Sequence, residues 1–256
     1  VANRRPRMTQ STPATWRPVS AAGEIAVVSM HDEELFGKKT VLTDYEAERR
    51  GLIARVDLHY PVFTDTELNI EDGGHVMVDG VRVQPYRMAC IDATIKNFED
   101  HPHHRKMLAR FHRQNATESF VGNSPNGLGY YTDGWKLLYV HSGLTPNQRA
   151  RRLKEFEEYE GIAVLASCGI LDRCYDCVSL DTYLVGDPIH SASVGLQFNG
   201  RVTRRDPDKI IKGKEINPIG ILPILQYEGQ GETLNEAVKR SQFEKLKNVV
   251  QQTKFF

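Results

Sequence analysis

The residues with the most specific chemistry in this chain are two arginines, Arg201 and Arg204. They close the run Gln197-Phe198-Asn199-Gly200-Arg201-Val202-Thr203-Arg204. Three residues apart on a helix they share one face, so both guanidinium groups can address a single anion. A guanidinium delivered into a cleft stabilises charge spread over phosphoryl oxygens, which suits the pair to phosphoryl-transfer chemistry. Gly200 allows close backbone approach. Taken singly, the pair also fits the solvated basic end of a helix.

A second candidate is His141-Ser142-Gly143, just ahead of Thr145-Pro146. Thr is an N-cap residue and Pro suits the first helical position, so a helix starts there and its free amides attract phosphate. On that helix Arg149, Arg151, Arg152 and Lys154 face either a phosphate backbone or solvent. Cysteines stand at 90, 168, 174 and 177. A single C-x-x-C with no matching second pair is a poor zinc site and a poor disulfide framework, so reduced thiols are expected. His101, His103, His104 and His112 surround Pro102 among basic residues and read as a solvated helix junction. No metal is expected. Trp16 and Trp135 read as packing residues.

The elements that must position these groups follow from pattern. Short helices are expected at 33–37 and 44–50, with Asp44 as a cap and Gly51 as a stop. Residues 53–62 read as a strand trimmed by Pro61, and 74–83 as a hairpin around Asp79-Gly80. Residues 91–114 have helical spacing broken at Pro102. Apolar runs at 119–122, 137–141, 162–167 and 182–185 read as strands, with helices at 145–159 and 191–199. A late strand at 219–227 and an amphipathic helix at 233–253 complete the order. Strands alternating with helices imply a parallel α/β sheet with helices on both faces.

The chain has 256 residues with 33 acidic and 33 basic side chains, so no global field steers it toward an anion. Nucleic-acid contact therefore requires a local basic face. No apolar run is long enough to span a bilayer, and the basic start, Val1 to Arg7, is not followed by a signal-type stretch. Opening on Val, the chain reads as a fragment, a processed product or an alternative start.

In the form Q-x-x-G-R-x-x-R, the run ending at Arg204 resembles motif VI of superfamily 2 helicases. Residues 164–176 resemble motif V, and 180–191 resemble the strand and turn that precede motif VI, with no gap needed from Ser167 to Arg204. Residues 138–145, with Arg149 and Phe156, resemble the family's next strand and helix. Residues 119–124 resemble motif IV, and Gln10-Ser11-Thr12-Pro13 resembles motif III. Residues 34–37 and 45–52 resemble the linker between lobes.

The resemblance, to the DEAD/DEAH-like and type III restriction-like helicases, implies the C-terminal RecA-like lobe of a two-lobe motor. Residues 1–22 would be a remnant of the first lobe, 23–85 the interlobe linker and hairpin, and 86–256 the RecA-like domain. Arg201, Arg204 and Gln197 would be catalytic, and Gly200, Asp176 and Cys174 would lie at the nucleotide. Ser142, Gly143, Ser167, Cys168 and Ser124 would hold the nucleic-acid strand, with Ser11 and Thr12 coupling the two sites. The implied ligands are ATP with Mg²⁺ and a DNA strand, RNA being the other option. The implied protein partner is an N-terminal helicase lobe, in the same parent chain or a separate subunit. No membrane is implied, and the setting is the cytosol of a bacterium or a phage-infected host.

Two features depart from the family. Cys168 stands where Thr is usual and Cys174 where Gly is usual, and a thiol is a weaker donor than a hydroxyl. The residues 124–134 are rich in Gly, Pro and Asn where a full helix is usual, so an irregular crossover is expected. The sequence contains no G-x-x-x-x-G-K-[ST] loop and no D-E-x-[DH] run. Those elements hold phosphates and Mg²⁺, so the chain alone is expected to hydrolyse nothing. The alternative is a degenerate, non-catalytic module that binds nucleic acid or a protein.

Overall fold

The chain divides into two units, Val1–Thr43 and Asp44–Phe256. The computed structural model describes residues 15–16, 28–29, 50, 54, 56–71, 73–169, 171, 177, 179–187, 210–211, 214–215 and 217–240. In the first unit β1 (Thr15–Trp16) and β2 (Val28–Ser29) pair antiparallel. The helices expected at 33–37 and 44–50 lie outside the described residues, apart from a turn at Arg50.

The second unit begins with β3 (Asp57–His59) and β4 (Val62–Thr64), then the hairpin β5 (Val76–Val78) and β6 (Val81–Val83). Next come α1 (Pro85–Asp100), β7 (Lys106–Phe111), α2 (Gln114–Phe120) and β8 (Lys136–His141). The chain continues through α3 (Pro146–Glu158), β9 (Ala163–Cys168) and β10 (Thr182–Val185). It continues with β11 (Ile210–Ile211), β12 (Lys214–Glu215), β13 (Ile219–Ile221), β14 (Ile224–Gln226) and α4 (Leu234–Arg240).

Six strands form a sheet in the order β3-β13-β10-β7-β9-β8, with every pairing parallel. Successive side chains of a strand face opposite sides, and the core divides accordingly. Met107, Ala109, Phe111, Val164, Ala166 and Leu184 pack with Ala89, Cys90 and Phe98 of α1 and Phe120 of α2. Leu108, Leu165, Tyr183 and Val185 pack on the other face with Phe156 of α3. Helices therefore cover both faces, as the alternation of elements requires.

Residues 53–62 and 219–227, each expected as one strand, are each two. In the register His59 pairs with Ile221 and Val62 with Ile224, which sets Pro61 opposite Pro223. Neither proline has an N–H, so the ladder breaks between them. It resumes as β4 beside β14, with Ile224 N donating to the Pro61 carbonyl at 2.9 Å. Asp57–His59, in the stretch read as linker, is thus an edge strand of the main sheet.

Two other expectations are corrected. The helical pattern over 91–114 is a helix only to Asp100; Lys106–Phe111 is a central strand buried along its whole length. The apolar run at 119–122, read as a strand, is instead the end of α2 and the turn after it, with Phe120 pointing into the core. The hairpin forms as expected, with Asp79 and Gly80 both left-handed at φ 47° and 77°. That is the conformation a two-residue turn between twisted strands needs, and Gly80 adopts it without a Cβ penalty. The crossover from 124 to 134 is irregular, a run of turns and one 3₁₀ turn at Leu128–Tyr130.

The amino ends of the strands are held by buried polar groups. The Asp181 carboxylate, 3% exposed, accepts from Arg105 N at 2.7 Å, Lys106 N at 3.1 Å and Thr182 Oγ1 at 3.1 Å. His104, expected in a solvated junction, is buried with its ring 3.1 Å from Thr182 Oγ1. Lys106 Nζ donates to the Phe156 and Tyr159 carbonyls at the end of α3. A cation there complements the negative end of the helix, and burial lowers the lysine pKa below its ordinary value.

Candidate functional site

In an open parallel sheet, ligands bind outside the carboxyl ends of the strands, where neighbouring connections diverge to opposite sides. Here that point is β7, flanked by β9 and β10. The loops after β7, β8, β9 and β10 start with His112, Ser142, Gly169 and Gly186, so this edge gathers four loops. Gly186 is obligatory: a Cβ there would meet Phe111 Cε1 at 2.2 Å, inside van der Waals contact.

The loop at Ser142-Gly143 is built as its residue types suggest. Thr145 caps α3 in a capping box: its hydroxyl accepts from Gln148 N, and the Gln148 side chain accepts from Thr145 N at 2.9 Å. His141, 4% exposed, fixes the turn from below. Gly143 N donates to His141 Nδ1 at 3.1 Å, so the ring hydrogen sits on Nε2 and is donated to Glu118 Oε1 at 2.7 Å. Gln114 Nε2 donates to Ser142 Oγ at 3.0 Å. Residues 114 and 118 of α2 thereby tie the loop after β7 to the loop after β8.

The expected site residues fare unequally. Ser142 and Gly143 are exposed on this edge, although the Gly143 amide is engaged by the imidazole. Cys168 ends β9, half-buried, with its thiol donating to the His112 carbonyl at 3.2 Å. Ser167, expected to touch a strand, is wholly buried and its hydroxyl donates to Ala109 O at 3.5 Å. Alternation along β9 turns it into the core, so its side chain packs instead. Ser124 is exposed in the turn after α2. Arg201, Arg204, Gln197, Gly200, Asp176, Cys174, Ser11 and Thr12 lie outside the described residues.

The basic face of α3 is committed to structure. Arg149 donates to Leu144 O at 2.7 Å, and Arg152 donates to Tyr139 O at 2.9 Å while lying 3.8 Å from that ring's centre. Arg151 and Lys154 pair with Glu155 and Glu158. The solvated-face reading of this helix is the one its contacts support. Trp135 packs edge-on against Phe98, with ring centres 5.0 Å apart.

The sequence reading missed Arg82, Arg87, Arg113 and Gln114. They line an open cleft of about 1200 Å³ at the end of β7, with His75, Gln84, Asn115, Asn126 and Asp187. Arg87 is held between aromatic rings, 4.7 Å from the centre of Phe111 and 5.3 Å from that of Phe120, and its Nη2 donates to Ala116 O at 2.9 Å. Burial lowers its pKa, and Cys90 and Asp187 oppose that shift. No local motif marks Arg87, because its ring partners come from β7 and α2. A hairpin carrying an arginine next to its tip was the one visible signal.

Among the described residues no group of three or more His, Cys, Asp or Glu side chains gathers as a metal site. No described helix is long and apolar enough to cross a membrane.

No family model and no curated protein matches this sequence. Solved structures do match in shape. The ATP-dependent Type ISP restriction-modification enzyme LlaBIII bound to DNA superimposes with a TM-score of 0.60 at 13% identity, over 95% of this chain and 17% of that one. A fragment of a putative HsdR subunit of a type I restriction enzyme from Vibrio vulnificus YJ016 gives 0.51 at 14% identity, over 79% of this chain and 42% of that one. This chain therefore spans less than half the length of either. At such identities the likeness is one of fold alone: an α/β, RecA-like parallel sheet with helices on both faces.

Proposed function

We propose that this chain is the C-terminal lobe of an ATP-dependent nucleic-acid helicase or translocase, working with a first lobe that holds ATP and Mg²⁺. The observation that carries the reading is the position of β10 beside the central strand. It delivers the chain to the carboxyl edge at Gly186-Asp187, ten residues ahead of Gln197. The segment bearing Arg201 and Arg204 thus starts from the edge where this fold class binds its ligands.

In this reading Arg201 and Arg204 stabilise charge on the γ-phosphate in the transition state, and Gln197 positions them. Gly200, Asp176 and Cys174 border the nucleotide, while Ser11 and Thr12 couple the lobes. Residues 1–22 belong to the first lobe, 23–85 link the lobes while lending β3 to the second lobe's sheet, and 86–256 form the rest of that lobe. Ser142, Gly143, Cys168 and Ser124 contact the strand's phosphates, and binding falls as salt rises. DNA is the favoured strand, by the likeness to the DNA-bound LlaBIII. The chain's own sequence has no phosphate loop or acidic Mg²⁺ motif, so it completes a nucleotide site rather than building one. A second reading, a module that binds without hydrolysis, draws support from the internal engagement of the Cys168 thiol and the Gly143 amide.

The test is nucleic-acid-stimulated ATPase after mixing with a first lobe that carries a phosphate loop. Arg204→Ala is expected to lower the stimulated rate by about a thousandfold. An unchanged rate overturns the arginine-finger assignment, and no stimulated hydrolysis by the wild-type pair favours the binding module.

A further inference from the structure

We infer that the pocket between the end of β3 and the last two turns of α1 binds a free nucleoside through its base, adenine fitting best. Ala93, Asn97 and His101 recur every four residues and so form one stripe along α1 and its C-cap. The other wall is His59 and Tyr60, at the end of the edge strand β3, with Ile221 of β13 beside them. The pocket holds about 460 Å³, a usual size for a small-ligand site and ample for a nucleoside. It lies at the opposite edge of the sheet from β8 and the Ser142-Gly143 loop.

The lining has the two parts that recognition of a base needs. Ala93 and Ile221 are buried and apolar, and the His59 and His101 rings stand 5.4 Å apart at 50°, so flat aromatic faces adjoin apolar side chains. Bases stack on such His and Tyr faces. Burial and the neighbouring His59 lower the His101 pKa, against Asp100 and Asp57, which favours the neutral ring. The polar part is Asn97. It is 6% exposed, and neither Oδ1 nor Nδ2 has a hydrogen-bond partner among the described residues. Buried carboxamides are nearly always hydrogen-bonded, because leaving one unmatched costs stability. A carboxamide offers an acceptor and a donor side by side, and the N6–H and N7 edge of adenine is its complement. Both atoms are shielded from solvent, so a base reaches them as the half-buried His59 and His101 rings shift, as side chains commonly do on binding.

The charges select among nucleosides and nucleotides. Lys96 and Asp100 are the exposed charged side chains of the lining, one of each sign. With the histidines neutral the pocket carries no net charge, which suits an uncharged nucleoside over a triphosphate. A carboxylate such as Asp100 also accepts from ribose hydroxyls. A nucleoside bound here bridges β3 and α1, fastening the edge strand to the helix. The site stands whether or not the chain is a motor lobe.

The experiment is a ligand-observed NMR titration of the full chain with adenosine, 7-deazaadenosine and ATP. Adenosine is expected to bind with a Kd below about 1 mM. The 7-deaza analogue, which lacks the N7 acceptor, should bind roughly tenfold more weakly. In Asn97→Leu the adenosine affinity should fall to that of the analogue, and the two ligands should no longer differ. The same variant should unfold in urea at a midpoint no lower than the wild type, because an unmatched buried amide gives way to an apolar chain of similar size. His101→Ala, on the half-buried wall, should weaken adenosine severalfold. A wild-type chain that does not bind adenosine overturns the proposal, as does a preference for adenosine over the analogue that survives Asn97→Leu. A lower unfolding midpoint for Asn97→Leu overturns it as well, since the amide then serves the fold. So does an unchanged affinity in His101→Ala, or ATP binding tighter than adenosine, which places recognition on phosphate. The Arg204→Ala comparison of ATPase with a first lobe is independent of every one of these outcomes.

Discussion

The two ends of the same six strands handle charge in opposite ways. At the amino ends, Asp181, His104, Thr182 and Lys106 are buried; Asp181 accepts from two backbone amides and the Thr182 hydroxyl within 3.1 Å, and Lys106 Nζ donates to backbone carbonyls. At the carboxyl ends, Arg82 and Arg113 face solvent beside an open cleft, while Arg87, which also lines it, has its Nη1 buried without a hydrogen-bond partner among the described residues. Burying a charge is tolerable only with full hydrogen bonding, so the amino edge is a structural device. Leaving guanidinium groups exposed around a concavity adds little to stability and keeps them available for an anion. Both edges are polar in sequence; only their partners separate scaffold from site.

The contrast is sharpest in Asp181→Ala. Removing the carboxylate strands the buried amide of Lys106 and the part-buried amide of Arg105, and the loss should be about 3 kcal/mol in urea unfolding. A loss below about 1 kcal/mol would mean that water or a shifted side chain replaces it, and the amino edge would no longer count as a structural lock. Thr145→Ala tests the exception at the carboxyl edge, the capped start of α3. The expected loss is about 1 kcal/mol by the same measurement, and a neutral result would assign the capping box to loop geometry alone. Arg82→Ala should be the smallest in stability, within about 0.5 kcal/mol of the wild type. A large stability loss there would make the hairpin arginine a structural residue and erase the difference between the edges.

How much could be read in advance depended on where each signal was stored. The hairpin, the capped helix α3 and strands β8, β9 and β10 were legible because their determinants are local: Asp79-Gly80, Thr145-Pro146 and short apolar runs. Strand β7 was misread. Its Lys-Met-Leu-Ala-Arg-Phe run is made mostly of good helix formers. It is a strand because pairing with both β9 and β10 buries all six residues, a gain that outweighs propensity. The breaks at Pro61 and Pro223 were half legible, since each proline announces an interruption but only the register sets them face to face. At the carboxyl edge, the exposed turn at Ser142-Gly143 was legible from its place ahead of a capped helix, whereas the burial of Ser167 follows from strand alternation that the motif did not reveal. Arg87 was invisible because a helical arginine has no mark of its two aromatic neighbours.

The sequence by itself determined the alternation of strands and helices, the turn and cap positions, and the presence of the Gln197–Arg204 run with its paired guanidinium groups. These are properties of residues close along the chain, where steric and hydrogen-bonding preferences act directly. The tertiary structure alone decided that β7 is the central strand, that Asp181 and His104 are buried, and that Arg82, Arg87 and Arg113 surround one cleft. Those outcomes depend on residues far apart in the chain, as when the hairpin, α1 and the end of β7 meet, and no local preference encodes that distance.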